Sequence, residues 1–293
     1  MSILGKIKRQ TFRWLPDTNF VNLIYSEIGY FRRFGRFANV RDPRCFNEHL
    51  MRLKCSDEMR RPLRTFISDK ELVKHFVRGH LGEGYTPKTL AILRQPEEIE
   101  HYDFPPRFAA KPAHGFNDVL IKKGEAVTPA DRAAMRRWIR ENYFNRGREP
   151  QYRFVEPKVI VEEFVGDDDI VPVDFKVYCF HGVVRFIEVD FDRFRSLRRD
   201  LFDAEGQPLD IEFLFPRSGR PLPCSELLPE LRRIAETLAA NLSFVGVDLY
   251  VVGNRILVGE MTSTPENCNA TFHPVEAGLF LGRFFERPPG SPE

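Results

Sequence analysis

The chain has 293 residues, of which 42% are hydrophobic and 29% charged, and its formal net charge at pH 7 is +2. This composition is that of a soluble globular protein with room for one large domain or two smaller ones. The near-neutral charge argues against a nucleic-acid binder.

The five cysteines are widely spaced and include no C-x-x-C pair, so we expect neither a disulfide framework nor a zinc knuckle. No run approaches the roughly 18 apolar residues needed to cross a bilayer. The N-terminus also lacks the apolar stretch of a signal peptide. We therefore expect a cytoplasmic protein.

Residues 1–66 are expected to be helical and irregular, with aromatic side chains interleaved among arginines. Residues 1–44 contain nine lysines and arginines against three acids, a local excess of six positive charges. One interpretation is a helical layer that packs its aromatic rings onto the main domain. The other is a segment that contacts a membrane surface or a partner.

Beyond this segment, helix-start signals and hydrophobic alternation predict further elements in chain order. Their expected bounds are helix 69–78 with Ser68 as N-cap, strands 107–110 and 119–122, helix 128–142, strands 158–164, 174–180 and 183–191, and helix 225–241.

Lys111 lies at the end of a predicted apolar strand. A lysine there avoids a desolvation cost by meeting an anion or by extending into solvent. The loop that follows, residues 113–118, has backbone amides that could surround a phosphate, although its spacing matches neither a Walker nor a dinucleotide motif. Lys70, near the start of a predicted helix, is by itself typical of a solvated lysine.

The strand 158–164 runs directly into Glu162, Glu163, Phe164 and Val165. A strand that ends in this way can offer backbone groups to an adenine ring and a carboxylate to its amine or to the ribose. An exposed strand end with solvated acids is equally compatible with the sequence.

Residues 245–252 and 256–261 are almost wholly apolar and flank a Gly-Asn-Arg turn, which predicts a β-hairpin. Asp248 and Glu260 lie within it, and buried carboxylates need a proton, a partner or a cation. Pairing of each with an arginine would satisfy them as well as a bound cation would.

The turn length decides whether Asp248 and Glu260 can share a cation, because side chains alternate between the two faces of a strand. A two-residue turn would pair residue 248 with 259 and place Glu260 on the opposite face. We therefore expect a three-residue loop with Gly253 or Asn254 in a left-handed conformation, or else a β-bulge between 248 and 260.

Six segments, taken in order, resemble the TupA-like group of the ATP-grasp superfamily, which is associated with teichuronopeptide and other surface-polysaccharide biosynthesis. These segments are FNEHLMRLK (46–54), SDKELVKHFV (68–77), FAAKPAHG (108–115), VIVEEFV (159–165), DFKVYCFHG (174–182) and VDLYVVGNRILVGEMTSTP (247–265).

The resemblance implies an α+β ATP-grasp fold, in which two α+β subdomains grip ATP between them, preceded by a short helical, basic N-terminal segment. The expected organisation is a segment at 1–66, an ATP-grasp domain at 67–286 with its nucleotide cleft between about 104–165 and 166–286, and a disordered tail at 287–293.

The resemblance also implies a role for each matching residue, with ATP and Mg²⁺ as the expected cofactors. Mg²⁺ prefers oxygen ligands, and Glu260 and Thr262 face the same side of a strand. The expected roles are phosphate binding by Lys70 and Lys111, the start of a mobile phosphate loop at His114-Gly115, an adenine hinge at Glu162, Glu163, Phe164 and Val165, ribose and phosphate contacts by Asp174 and Lys176, and a magnesium set of Asp248, Glu260 and Thr262.

The sequence departs from the family pattern at two places. His114-Gly115-Phe116-Asn117 replaces a His-Gly-Ser-Gly loop, which would stiffen the phosphate lid or change what it covers. Thr262 replaces an asparagine, and the chain then continues as residues 264–269 instead of a Pro-Gly stretch.

The activity implied is that of an ADP-forming carboxylate-amine ligase, which joins an amino acid or peptide to a uronic acid or other carboxylate through an acylphosphate. Lys111 and Lys176 would neutralise charge, and Arg193 and Arg198 would grip the anionic acceptor or lie in a solvated loop. The expected partners are a small-molecule or glycan carboxylate and an amine, together with peripheral contact to the inner face of the membrane or to a glycan-assembly complex. The alternatives are a glycosyltransferase-type enzyme of polysaccharide synthesis and a nucleotide-binding module without turnover.

Overall fold

The computed structural model describes residues 11–115, 118–166, 172–192 and 196–286. Helices and strands are both present, as the predicted α+β class requires. The helices of the described ranges are α1 Asn19–Phe34, α2 Phe46–Lys54, α3 Pro62–Ser68, α4 Leu72–Leu81, α5 Pro96–His101, α6 Pro129–Arg140, α7 Phe144–Gly147, α8 Leu228–Ala239 and α9 Ala277–Gly282.

The strands include every predicted strand, with bounds shifted by at most two residues. They are β1 Thr89–Leu93, β2 Arg107–Pro112, β3 Leu120–Lys123, β4 Val159–Glu163, β5 Val173–Phe180, β6 Val183–Phe191, β7 Arg198–Asp203, β8 Pro208–Leu209, β9 Glu212–Phe213, β10 Phe244–Val252, β11 Arg255–Thr262 and β12 Phe272–His273.

Helix starts follow local hydrogen bonding, and one predicted start is wrong. The Thr128 hydroxyl accepts from the Asp131 amide, which confirms the predicted start of α6. Ser68, however, ends α3 and does not cap the next helix. Asp69 satisfies the amides of Glu71 and Leu72 in its place, because a carboxylate two or three residues upstream accepts from these free donors.

The chain divides into two compact units. Unit 1 comprises Met1–Asp17 and Glu58–Pro172, and unit 2 comprises Thr18–Asp57 and Val173–Glu293. The residues of the predicted segment 1–66 are thus shared between both units. The predicted domain bounds and nucleotide cleft stay predictions, and the tail 287–293 lies outside the described residues.

Unit 1 contains, in its described part, a four-stranded antiparallel sheet in the order β1-β4-β2-β3. α5 and α6 pack against each other, and α6 also packs on β2 and β4. The core between these elements is apolar and includes Leu93, Ile99, Phe108, Met135, Trp138, Val159 and Val161.

Unit 2 is built, within the described ranges, on a six-stranded antiparallel sheet in the order β11-β10-β5-β6-β7-β8. One face packs on α8, which buries Leu231, Ile234 and Leu238 against β5, β6 and β10. Since side chains alternate along each strand, the polar residues of β5, β6 and β10 are collected on the opposite face.

α2 packs at one end of that polar face through Phe46, which is fully buried. Its ring centroid lies 5.9–6.4 Å from those of Tyr178, Phe180, Phe186, Phe213, Phe244, Phe272 and Phe285.

A search of the described residues for helices with the length and apolarity of a membrane span finds none.

Phe46→Ala should lower the free energy of unfolding of unit 2 by about 3–5 kcal/mol, since it removes a buried ring and leaves a cavity. Phe20→Ala is the control, because that ring is exposed and its loss should change stability by less than about 0.5 kcal/mol. Guanidinium unfolding followed by circular dichroism measures both. Equal losses for the two variants would show that the aromatic cluster does not anchor α2.

Candidate functional site

Charged side chains lie side by side across the polar face of the unit 2 sheet. Strand register places Asp248 opposite Glu260 on β11 and opposite Lys176 on β5, and Lys176 lies opposite Glu188 on β6. The next row continues through Asp174, Asp190 and Arg199. These two rows of described residues therefore combine five carboxylates with the cations Lys176 and Arg199.

The hairpin that carries Asp248 and Glu260 contains the predicted β-bulge. Val252 pairs with Arg255 across a two-residue turn, so the expectation of a three-residue loop is wrong. Leu249 pairs with Val258 and Asp248 with Glu260, which leaves Gly259 as the extra residue. The bulge restores the two carboxylates to one face, as the alternative prediction required.

The bulge residue lies against the Tyr250 ring. A Cβ atom on Gly259 would lie 2.5 Å from that ring, closer than real Cβ contacts come, so a larger residue here would require the ring to move.

Asp248 is buried, and its carboxylate bonds to the Lys176 ammonium through Oδ2. Its Oδ1 is buried without a hydrogen-bond partner among the described residues. Burial raises the pKa of Asp248 well above its usual range, and Glu260 and Asp174 add to this, although Lys176 opposes it. The negative charge of the Asp248 carboxylate is thus only partly compensated by neighbouring protein groups.

Burial alone would lower the pKa of Lys176, but the carboxylates around it raise the pKa above its usual range. These carboxylates are, in order of influence, Asp248, Glu188, Glu260 and Asp174. Lys176 therefore keeps its positive charge at neutral pH.

A second network surrounds Glu188 and was missed by the sequence analysis. Tyr178 donates to Glu188 Oε2 at 2.7 Å, and Arg199 contacts Glu188 Oε1 at 2.9 Å and Asp190 Oδ1 at 2.6 Å. The sequence could have indicated this network, because alternation in β6 places Glu188 and Asp190 on one face of the strand. Arg199 belongs to β7 and is buried, in contrast to the solvated loop considered for this basic stretch.

Thr262 ends β11 opposite Gly246, on the same side as Glu260. The turn Pro265–Cys268 follows, and three of its residues, Glu266, Asn267 and Cys268, have φ of 50°, 49° and 63°. Left-handed backbone is costly for such residues and persists where surroundings fix it. Lys54, fully buried in α2, donates to Asn267 Oδ1 at 2.6 Å and holds this turn.

In unit 1, Glu162 is clamped between two lysines. Lys111 lies 2.7 Å and Lys74 2.5 Å from its carboxylate oxygens. Burial would raise the pKa of Glu162, but the two ammonium groups hold it below its usual range. Lys74 was not singled out from the sequence, although it lies one helical turn beyond Lys70.

Lys70 and the predicted phosphate loop are bonded to each other. Lys70 Nζ donates to Gly115 O at 2.6 Å, and its amide donates to Ala113 O at 2.9 Å. His114 is buried, and its Nδ1 has no hydrogen-bond partner within the described ranges. Burial lowers the pKa of His114, so the ring is neutral. Phe116 and Asn117 lie outside the described residues.

The predicted hinge follows β4. Glu163 is bonded to Lys88 through its backbone amide at 2.9 Å and its carboxylate at 3.0 Å. Cations lie over the Phe164 ring, Lys123 at 5.0 Å and Arg107 at 5.5 Å. Val165 is half-buried.

Two predicted residues remain, Arg193 and Arg198. Arg198 is exposed on β7, and Arg193 lies outside the described residues. Among described residues, no group of three or more His, Cys, Asp or Glu side chains is arranged to hold a metal ion.

Glu188 should make stability depend on pH. Burial raises its pKa from 4.5 to about 7, although Arg199 opposes this, so the folded protein retains a proton that the unfolded chain releases. The resulting stabilisation is complete below pH 4.5 and lost as pH rises to about 7. We compare the free energy of unfolding of the wild type with that of Glu188→Gln. The difference, wild type minus variant, should fall by up to about 3 kcal/mol as the pH rises across this range.

Chemical denaturation at a series of pH values measures this difference. Glu226→Gln, at an exposed position, is the control, and its difference from the wild type should stay flat. A pH-independent difference for Glu188→Gln would contradict the assignment.

Comparison with known proteins bears on this arrangement. A search of curated proteins gives no significant match. Solved structures that match part of this chain include the ATP-grasp ligase PsnB complexed with a minimal precursor (14% identity, TM-score 0.38, 76% of this chain and 63% of that one). Others are the D-alanine–D-alanine ligases of Bacillus anthracis with ATP (16%, 0.38, 68% and 56%) and Helicobacter pylori (11%, 0.41, 78% and 60%). This chain thus spans less than two thirds of the length of each.

The family model described as TupA-like ATPgrasp matches residues 48–286, which is most of the chain. This match confirms the resemblance carried by the six sequence segments and, with it, the predicted ATP-grasp fold. The chain belongs to the TupA-like ATP-grasp family.

Proposed function

We propose that this protein is an ATP-dependent carboxylate-amine ligase that works through an acylphosphate. Its substrates are an amino acid or peptide and a uronic acid or other carboxylate, and its product enters a surface polysaccharide. Family membership supports the ligase class. The substrate class rests on the group's association with such polymers.

One observation carries the proposal: the Gly259 bulge sets Asp248 directly opposite Glu260, with Asp248 Oδ1 buried and lacking a hydrogen-bond partner among described residues. A buried, incompletely compensated carboxylate beside a second one suits a divalent cation. Asp248, Glu260 and Thr262 would hold Mg²⁺, which would supply charge neutralisation at the ATP phosphates.

The lysines of unit 1 would bind the phosphates. The Lys70 ammonium is bonded to Gly115 O and that of Lys111 to Glu162, so both are held in defined positions before a phosphate arrives. Such preorganisation lowers the entropic cost of binding. The hinge at Glu162, Glu163, Phe164 and Val165 would contact adenine, and Asp174 and Lys176 the ribose and phosphates.

The chemistry requires no covalent protein nucleophile. An oxygen of the substrate carboxylate attacks the γ-phosphorus, and the bond from this phosphorus to the oxygen of ADP breaks. The amine nitrogen then attacks the acyl carbon, the bond to phosphate breaks, and the nitrogen loses a proton as the amide forms. Arg198 and Arg193 are the proposed contacts to the anionic acceptor.

Asp248→Asn should lower ligation by at least about a hundredfold, since charge stabilisation at transferred phosphoryl groups contributes on this scale. Asp210→Asn is the matched control, with a side chain that is 99% exposed.

The assay measures ADP release from ATP and Mg²⁺ with pools of uronic acids and amino acids. Release that needs both an acid and an amine supports the ligase. Consumption of a UDP-sugar would indicate a glycosyltransferase, and ATP binding without any release a module without turnover. Full activity of Asp248→Asn would contradict the metal assignment.

Lys70→Ala and Lys111→Ala should each weaken ATP binding by about 10- to 150-fold, the equivalent of about 1.5–3 kcal/mol for a charge-assisted contact. Lys74→Ala should have a smaller effect, since its ammonium is held by Glu162 and by the carbonyl oxygen of Pro87. Arg78→Ala on the same helix should have none. Titration calorimetry provides the affinities. Wild-type affinity in Lys111→Ala would refute the phosphate assignment.

Mg²⁺-ATP should raise the melting temperature more than ATP with EDTA does, because the cation compensates Asp248 and Glu260 in the folded state only. The additional shift should disappear in Asp248→Asn. Scanning calorimetry of both proteins measures it, and an equal shift with EDTA would count against a metal at these residues.

A further inference from the structure

Helix α1 presents large apolar side chains to solvent. Phe20 is 70% exposed, Ile24 38% and Phe31 46%, and their spacing places them along one side of the helix. Phe37, which follows the helix, is 66% exposed. We refer to Phe20, Ile24, Phe31 and Phe37 as the α1 apolar face.

The buried side of the helix includes polar groups that are all hydrogen-bonded. Asn22 and Ser26 are buried with Tyr25 and Tyr30. Ser26 Oγ donates to Asn22 O at 2.8 Å, and the buried Lys54 ammonium donates to Ser26 Oγ at 2.9 Å. A surface helix of a globular protein normally turns its apolar stripe inward. α1 is instead held by this network in an orientation that exposes phenylalanines.

The turn after α1 adds Phe37 to the same surface. Gly35 adopts a left-handed conformation with φ of 69° and ends the helix. The chain then folds back, and the Phe37 ring stacks on Phe31 with centroids 4.9 Å apart. The Phe31 and Phe37 rings thus form a preorganised patch at the C-terminal end of the helix, and Phe20 and Ile24 extend the exposed side toward its N-terminus.

Positive charge lies at the same end. Residues 19–42 contain four arginines, Arg32, Arg33, Arg36 and Arg41, and two acids, Glu27 and Asp42. Arg36 is paired with Glu48 at 2.6 Å, so Arg32 and Arg33 supply the charge beside the exposed rings. Arg32 and Arg33 are exposed in the last turn of α1. The Glu27 carboxylate accepts from the Ala38 amide at 3.0 Å and so is tied to the turn.

We propose that the α1 apolar face docks on a membrane that contains anionic lipid, with α1 lying in the interface plane. Exposed phenylalanines on one side and arginines beside them are the features by which amphipathic helices bind the headgroup region. A second copy of the chain is a poorer occupant, because a two-fold contact would bring the same arginine cluster of each copy together. The proposal is independent of the ligase activity.

The test uses the full chain and sedimentation with vesicles of phosphatidylcholine, alone or with 30% phosphatidylglycerol. We expect binding to the anionic vesicles that weakens from 50 mM to 500 mM NaCl, since screening grows with ionic strength. The triple variant Phe20→Ser, Phe31→Ser, Phe37→Ser should bind at least about tenfold more weakly. Phe154→Ser, at another exposed ring, should bind like the wild type.

Charge is tested separately. Arg32→Gln with Arg33→Gln should weaken binding by about fivefold per arginine removed. The exposed pair Arg137→Gln with Arg140→Gln on α6 is the matched control and should have no effect. Melting curves that match the wild type establish that each variant is folded.

Three results would overturn the proposal. They are absence of binding to anionic vesicles, binding that the triple variant retains in full, and light scattering that shows a wild-type dimer that the triple variant converts to a monomer. The last would assign the face to self-association.

Discussion

The need to compensate buried carboxylates governs the polar face of the unit 2 sheet. α8 covers the other face and requires apolar residues there, so every charged residue of β5, β6 and β10 that alternates with them lies on one side. The Lys176–Asp248 ion pair and the Arg199 bridge between Glu188 and Asp190 make this tolerable. Removal of one member of a buried pair leaves an uncompensated charge. The strand register is therefore important, because it sets which carboxylate lies beside which cation.

Unit 1 also contains a buried charged cluster, but in it a carboxylate is paired with more than one cation. One buried carboxylate, Glu162, holds two ammonium groups, those of Lys74 and Lys111. In both units, a lysine that the family pattern assigns to phosphate is bonded to a protein carboxylate. Within each unit, the lysine is therefore oriented by a protein carboxylate.

One departure from the family pattern, the segment 264–269, is held in place by a buried lysine. The segment that replaces a Pro-Gly stretch contains three residues in left-handed conformations, and the Lys54 ammonium bonds to the middle one, Asn267. The same ammonium bonds to Ser26 of α1. One buried lysine therefore connects the turn after the proposed metal strand to the helix that exposes the α1 apolar face.

The sequence by itself determined which residues form strands and which share a face, because these depend on local alternation. It predicted the bounds of β5 and β6 and the start of α6 closely. It also placed Asp174 on the same strand face as Lys176, and Glu260 on the same face as Thr262. The order of six segments indicated the family. Tertiary structure decided what those side chains meet. Three features could not be read from local alternation, because they join residues distant in sequence or depend on packing. They are the pairing of Lys74 with Glu162, the bridge made by Arg199 and the orientation of α1 that exposes its phenylalanines. The Gly259 bulge lies between these cases: the sequence limited the hairpin to two solutions, and the strand register of the folded protein decided between them.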